Sequence, residues 1–144
     1  MCTNNKYAKS TIEINNVNSQ TVPQNNLIVF TNILIDTGCS ISYNAPSSVT
    51  LKKSGIYLVL FTATINTGTT AGNITTSIRL NNDIVASNTI LATTTASTES
   101  IIIPKLVMVP KSCDCIDNKK TITIINTDLQ AVYNEVDLMA IKLA

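Results

Sequence analysis

Apolar and polar residues alternate with a period of two along much of this chain, which is the signature of β-strands rather than helices. The segment NITTSIRL (73–80) sets Ile74, Thr76, Ile78 and Leu80 on one side and Thr75, Ser77 and Arg79 on the other. Near the end of the chain, Val136, Leu138 and Ala140 alternate with Asp137, Met139 and Ile141. The run LIVFTNILI (27–35) is dense in branched and aromatic residues and predicts a buried strand ending at the turn Asp36-Thr37-Gly38. Ile41–Tyr43 and Val49–Lys52 predict short strands, Ile101–Val109 a strand that Pro104 confines to an edge or a bulge, and TITIIN (121–126) another alternating strand. Asn81-Asn82-Asp83 marks a tight hairpin, with Ile84-Val85 and Asn88–Thr95 as the return strand. No helix of three turns fits anywhere. Eight to ten strands separated by turn signals predict an all-β fold, an antiparallel β-sandwich or jelly roll.

Two stretches depart from this pattern. Residues 1–26 hold seven Asn among Ser, Gln and Thr, with weak alternation at Ile12 and Ile14, and are expected to form an extended N-terminal attachment arm preceding a domain over 27–144. The second is IYLVLFTATI, launched by Gly55, which is apolar in both phases. A strand apolar on both faces lies between two packed layers or between a core and a partner subunit. Leaving three or four such side chains in water forgoes about 1.5–3 kcal/mol each, so a homo-oligomer with cyclic symmetry is expected. The residues expected at the subunit interface are Tyr57, Val59, Phe61, Tyr133, Leu138 and Met139.

Composition narrows the classes. Thr, Ile and Asn, at 21, 20 and 17 copies, make up about forty per cent of 144 residues, which favours strands and turns. Charged residues are 13% of the chain, against roughly 25% in an average soluble domain, so its polarity comes from hydroxyls and amides. The net charge is +1 with Arg79 the lone arginine, and no basic stripe could neutralise phosphates, so nucleic-acid binding is not expected. The longest apolar stretch, Ile56–Ile65, is far short of the ~20 residues of a membrane helix, and the opening MCTNNKYAKS leads into no apolar leader segment.

Histidine is absent, which removes the commonest general base. Asp114 and Asp117 flank cysteines in a Lys-rich turn and read as turn residues, as do Asp36 and Asp83, with no calcium-loop pattern among them. No catalytic, cofactor or metal site is therefore expected. Cys2, Cys39, Cys113 and Cys115 permit three readings: packed thiols, a disulfide that could staple subunits, or a metal set for which the spacing is poor. They are the candidate crosslinking thiols.

Against this background Gly55-Ile56-Tyr57-Leu58-Val59-Leu60-Phe61, a Gly-containing loop and SIRLNNDIVASNTI together resemble the core of the trimeric jelly roll shared by tumour necrosis factor and the complement globular head. The chain is most similar to a phage and bacterial branch, through Ala71-Gly72-Asn73-Ile74-Thr75, Leu80-Asn81-Asn82-Asp83, Ile101–Val109, Cys113-Asp114-Cys115, Ile122–Thr127 and Val136–Leu143. It departs from that branch in having Asn82 for the usual glycine, a Cys pair split by Asp114 and no collagen-like stalk. The resemblance spans roughly residues 26–144. It implies a non-enzymatic homotrimer in a virion, a head-fibre or capsid-decoration knob assembled in the bacterial cytoplasm, with residues 1–26 joining a capsid or fibre protein. Two alternatives accompany it: a fibre tip gripping a host-surface glycan or protein through Asn66–Gly72 and Leu91–Ser100, and a spore-surface subunit.

Overall fold

The computed structural model describes residues 9–111 and 118–144. The described chain forms twelve strands: β1 (Thr11–Asn16), β2 (Gln20–Val22), β3 (Asn26–Leu27), β4 (Asn32–Thr37), β5 (Ile41–Asn44), β6 (Ser48–Leu51), β7 (Gly55–Asn66), β8 (Gly72–Leu80), β9 (Asp83–Ala92), β10 (Thr98–Val109), β11 (Lys120–Asn126) and β12 (Ala131–Lys142). One sheet runs β10-β7-β12-β1-β4, with β2 beside β12, and the other runs β5-β6-β11-β8-β9, with β3 beside β11. Every pairing is antiparallel. From β6 onward the chain changes sheet at each connection except the β8–β9 hairpin, so the two sheets form an antiparallel jelly-roll sandwich.

The inward phase of each strand builds the core. Tyr57, Val59, Phe61 and Ile65 of β7 meet Ile12 and Ile14 of β1, Ile78 of β8, Ile122 and Ile124 of β11, and Tyr133 and Leu138 of β12, all fully buried. Phe30 and Phe61 pack edge to face with ring centres 6.5 Å apart, a favourable aromatic geometry. Buried polar groups in the core are paired: the Tyr133 and Thr76 hydroxyls lie 2.7 Å apart, and the Asn126 amide donates to the carbonyls of Val22 and Leu129. β8 and β9 meet at Asn81, whose φ of 57° is the left-handed conformation that Asn tolerates in tight turns.

Three expectations change. Residues 27–35 are not one buried strand. Leu27 pairs with β11 in one sheet, Ile28 and Phe30 plug the core as the chain crosses over, and β4 then joins the other sheet as an edge exposed along its whole length. Composition cannot distinguish a strand from an apolar crossover.

Residues 9–26 are not an arm. β1 lies between β12 and β4 with Ile12 and Ile14 fully buried, and β2 pairs with β12. Six residues with Thr, Glu and Asn in the outward phase read as polar, although their inward phase is a central strand. The domain therefore begins by Thr11 rather than at 27, and residues 1–8 lie outside the described part.

Cys39 is disulfide-bonded instead of carrying a packed thiol, and this takes it from the set available to staple subunits. Cys2, Cys113 and Cys115, together with Asp114 and Asp117, lie outside the described residues.

Candidate assembly interface

Strand phase decides which side chains this protein can offer to a partner. On β7 the buried set is Tyr57, Val59, Phe61, Ala63 and Ile65, so Ile56, Leu58, Leu60, Thr62 and Thr64 point outward. On the edge strand β10, Ile101, Ile103, Val107 and Val109 are buried, while Ile102, Leu106 and Met108 are 59%, 60% and 69% exposed. On β12, Met139 and Ile141 are outward and half-buried.

The registers assemble these residues into rows. Leu106 lies beside Leu58 and Leu58 beside Ile141; Pro104 lies beside Leu60 and Leu60 beside Met139; Met108 lies beside Ile56. A continuous aliphatic band three strands wide therefore covers the outer face of the β10-β7-β12 side. Cross-strand neighbours ~5 Å apart make it one surface rather than scattered exposed residues.

The band ends at an acidic pair. Met139 is followed in its row by Glu13 of β1, and the next row is Ile102, Thr62, Asp137 and Asn15. Glu13 and Asp137 are diagonal neighbours on this outer face. Partial burial first, and then the adjacent Glu13 carboxyl, push the Asp137 carboxyl up to about 6. Asp137 points outward because of a bulge in β12 between Asn134 and Asp137, where Glu135 adopts a φ of 50°. The extra residue lets Tyr133 and Val136 both face the core.

The predicted interface residues divide accordingly. Tyr57, Val59, Phe61, Tyr133 and Leu138 are fully buried inside the sandwich, so they are core and cannot meet a second chain, whereas Met139 lies on the outer face. On β7 the outward phase is the one opposite to that expected. The sequence carries the signal that corrects it: Thr62 and Thr64 share a phase with Ile56, Leu58 and Leu60 and mark that phase as outward. Ile102, Leu106 and Met108 join the outward set, and their sequence signal is weak because Pro104 marks the edge position of the strand and not its solvent phase.

The two ends of the sandwich differ. Lys9, Gly55 and the C-terminal Ala144 share one pole, where the Ile56 N–H donates to the Ala144 carbonyl. The opposite pole holds a 420 Å³ cavity lined by Asn66, Thr69, Thr70, Leu129 and Gln130 over Ile74. Its lining carries no charged or aromatic side chain. Among the described residues, no group of three or more Cys, Asp, Glu or His side chains is placed to hold a metal ion.

No protein-family model and no curated protein sequence matches the chain. Solved structures do. Murine APRIL aligns with a TM-score of 0.73 at 12% identity, covering 94% of this chain and 100% of that one. The globular domain of the zebrafish complement 1qA protein aligns at 0.62 and 12%, covering 94% and 98%. The PRD1 vertex protein P5 aligns at 0.56 and 16%, covering 94% and 97%. At such identities the likeness is one of fold, and the chain is an all-β jelly roll of the type found in tumour necrosis factor and C1q proteins.

Proposed function

We propose that this chain is a non-enzymatic structural subunit of a bacteriophage virion, a homotrimeric head-fibre or capsid-decoration knob. The observation that carries the reading is the aliphatic band on β10, β7 and β12, which no part of the described chain covers. Side chains like Leu106 and Met108, left more than half in water, gain about 1–2 kcal/mol each when a second copy covers them. The trimeric jelly-roll resemblance fits cyclic closure of such a surface, and the shared fold with a phage vertex protein favours a virion. Attachment to a capsid or fibre protein falls to the residues ahead of β1, because from Thr11 the chain is built into the sheet. Native mass spectrometry at micromolar concentration tests the assembly, and a monomer there refutes it. Quantitative proteomics of purified phage particles tests the location, and absence from the particles would redirect the reading.

A second reading has its own observation. The cavity beside Asn66, Thr69, Thr70 and Gln130 lies at the pole opposite Lys9, ~35–40 Å away along β7. A knob held by its N-terminal segment would present that pole outward. Hydroxyl and carboxamide groups without charge suit a neutral glycan, and three copies on one trimer would add avidity. Titration of the isotope-labelled protein with neutral oligosaccharides should shift the amide resonances of Thr69, Thr70 and Gln130; no shift at millimolar sugar excludes a glycan there.

A further inference from the structure

The aliphatic band does not end in neutral surface; it runs into Glu13 and Asp137. Among the described residues, this pair has no cation of its own face beside it. β7 presents Thr62 next to Asp137, β1 presents Asn15 and Glu13, and the remaining outward groups of β12 nearby are Asn134 and the exposed Glu135. Lys142 is five residues along β12, beside Gly55 at the pole, and Lys9 precedes β1. Asp36 of β4 pairs with Ile12, in the inward phase, away from this surface. A second copy arriving by its β9–β10 edge carries one cation on those strands, Lys105, with Asp83 and Glu99.

Covering the band strips water from the carboxyl pair. Two ionised carboxylates side by side in a drying interface repel each other and lose hydration, whereas one proton shared between them removes the repulsion and halves the charge that must be dehydrated. The two carboxyl groups are placed for such sharing, since Glu13 and Asp137 are outward-facing diagonal neighbours on adjacent strands at the margin of the band. Resting on the assembly reading above, we infer that the trimer is proton-linked: each protomer takes up a proton at the Glu13–Asp137 pair as the interface closes, so acid favours the assembled knob and alkaline conditions loosen it.

The sign follows from linkage. Asp137 is half-titrated near pH 6 before assembly, and its proton is held more tightly afterwards. With three protons taken up per trimer, the trimerisation constant falls by up to ~10³ for each pH unit above that point, until the assembled pair also ionises.

Sedimentation equilibrium of the full chain at pH 5.0, 6.0, 7.0 and 8.0, at fixed ionic strength, reads this directly. The wild-type constant should weaken at least tenfold between pH 6.0 and 8.0. Asp137→Asn and Glu13→Gln should each flatten the profile and leave the trimer intact at pH 8.0. A wild-type trimer whose constant is independent of pH overturns the linkage while sparing the assembly. A constant that strengthens with pH also overturns it and points to Lys105 of a second copy pairing with the acids, which Lys105→Gln would abolish. A wild-type chain that is monomeric at every pH overturns the assembly reading and this inference together.

Discussion

Leu106 and Val107 are adjacent on β10 and differ in phase, so replacing each with serine separates assembly from folding. Leu106 is 60% exposed and Met108 69%, whereas Val107 is 3% exposed in the core. Full burial of such side chains is worth about 1.5–3 kcal/mol, so the exposed fractions leave about 1–2 kcal/mol each for a partner to capture. In the double variant Leu106→Ser/Met108→Ser, loss at both sites in three copies totals about 6–12 kcal/mol per trimer. That lowers the association constant by at least ~10⁴. The folded protomer loses little, since those side chains already face water. Val107→Ser instead removes methyl groups from a packed core and buries a hydroxyl, costing about 2–4 kcal/mol of folding stability. For a domain of this size that lowers Tm by about 5–15 °C. Sedimentation velocity at micromolar protein and thermal unfolding by circular dichroism read the two effects. The double variant should sediment as a monomer with an unaltered β spectrum at 20 °C, and Val107→Ser should melt early. A double variant that stays fully trimeric refutes the assignment of the outer face. A Val107→Ser variant that dissociates the trimer without losing Tm refutes the phase itself.

Further expectations follow from single contacts. Tyr133→Phe removes the partner of the buried Thr76 hydroxyl and should cost about 1–3 kcal/mol, while adding Thr76→Val should recover part of it; equal losses in the single and double variants would contradict the pairing. Burial already pushes the Tyr133 phenol up to about 12, so no tyrosinate absorbance from that ring should develop at pH 10.5 in the folded protein. Deleting residues 1–8 should leave a folded trimer, whereas deleting 1–26 removes β1, β2 and the first residue of β3 and should yield insoluble or unfolded chain; a well-folded 27–144 fragment would contradict the central place of β1. Thermal unfolding should also report Asp137. Its carboxyl is held near 6 in the fold against 3.8 for an ordinary aspartate, so the native state prefers the proton and stability rises as pH falls from about 6 to 4. Because the group is only partly buried and still reached by solvent, the effect is discounted to about 1 kcal/mol, and Asp137→Asn should raise Tm by a few degrees at pH 7.5 but not at pH 4.

Local alternation made most of the strands legible in advance. Gly55 opens β7, the Asn81 turn joins β8 to β9, and β11 and β12 follow their alternating runs because each of these segments is covered on its inner face by the opposite sheet. The misread segments are those whose environment is set by distant chain. β1 is six residues long and owes its central place to β12, which lies more than a hundred residues later. The apolar run 27–35 serves three purposes in nine residues, and the switch between sheets leaves no mark in its composition, since aliphatic side chains suit a crossover plug as well as a strand.

The assembly face was half legible, and the reason lies in β7. Both of its phases are aliphatic at the Gly55 end, so hydropathy there cannot say which is inside. The polar residues farther along resolve it, because a strand keeps its phase unless a bulge intervenes. β7 pairs with β10 without interruption from Gly55 to Asn66, so Thr62 and Thr64 fix the outward side for Ile56, Leu58 and Leu60 as well. On β12 the same reasoning fails across Glu135, where the bulge shifts the phase between Tyr133 and Val136. Asp137 then becomes the informative residue. A carboxylate excluded from the core fixes the phase from Val136 to Ile141, and by cross-strand pairing it assigns Thr62, and with it the outward side of β7. The acidic pair at the margin of the band is thus both the marker of the outer face and the group whose protonation any partner covering that face must accommodate.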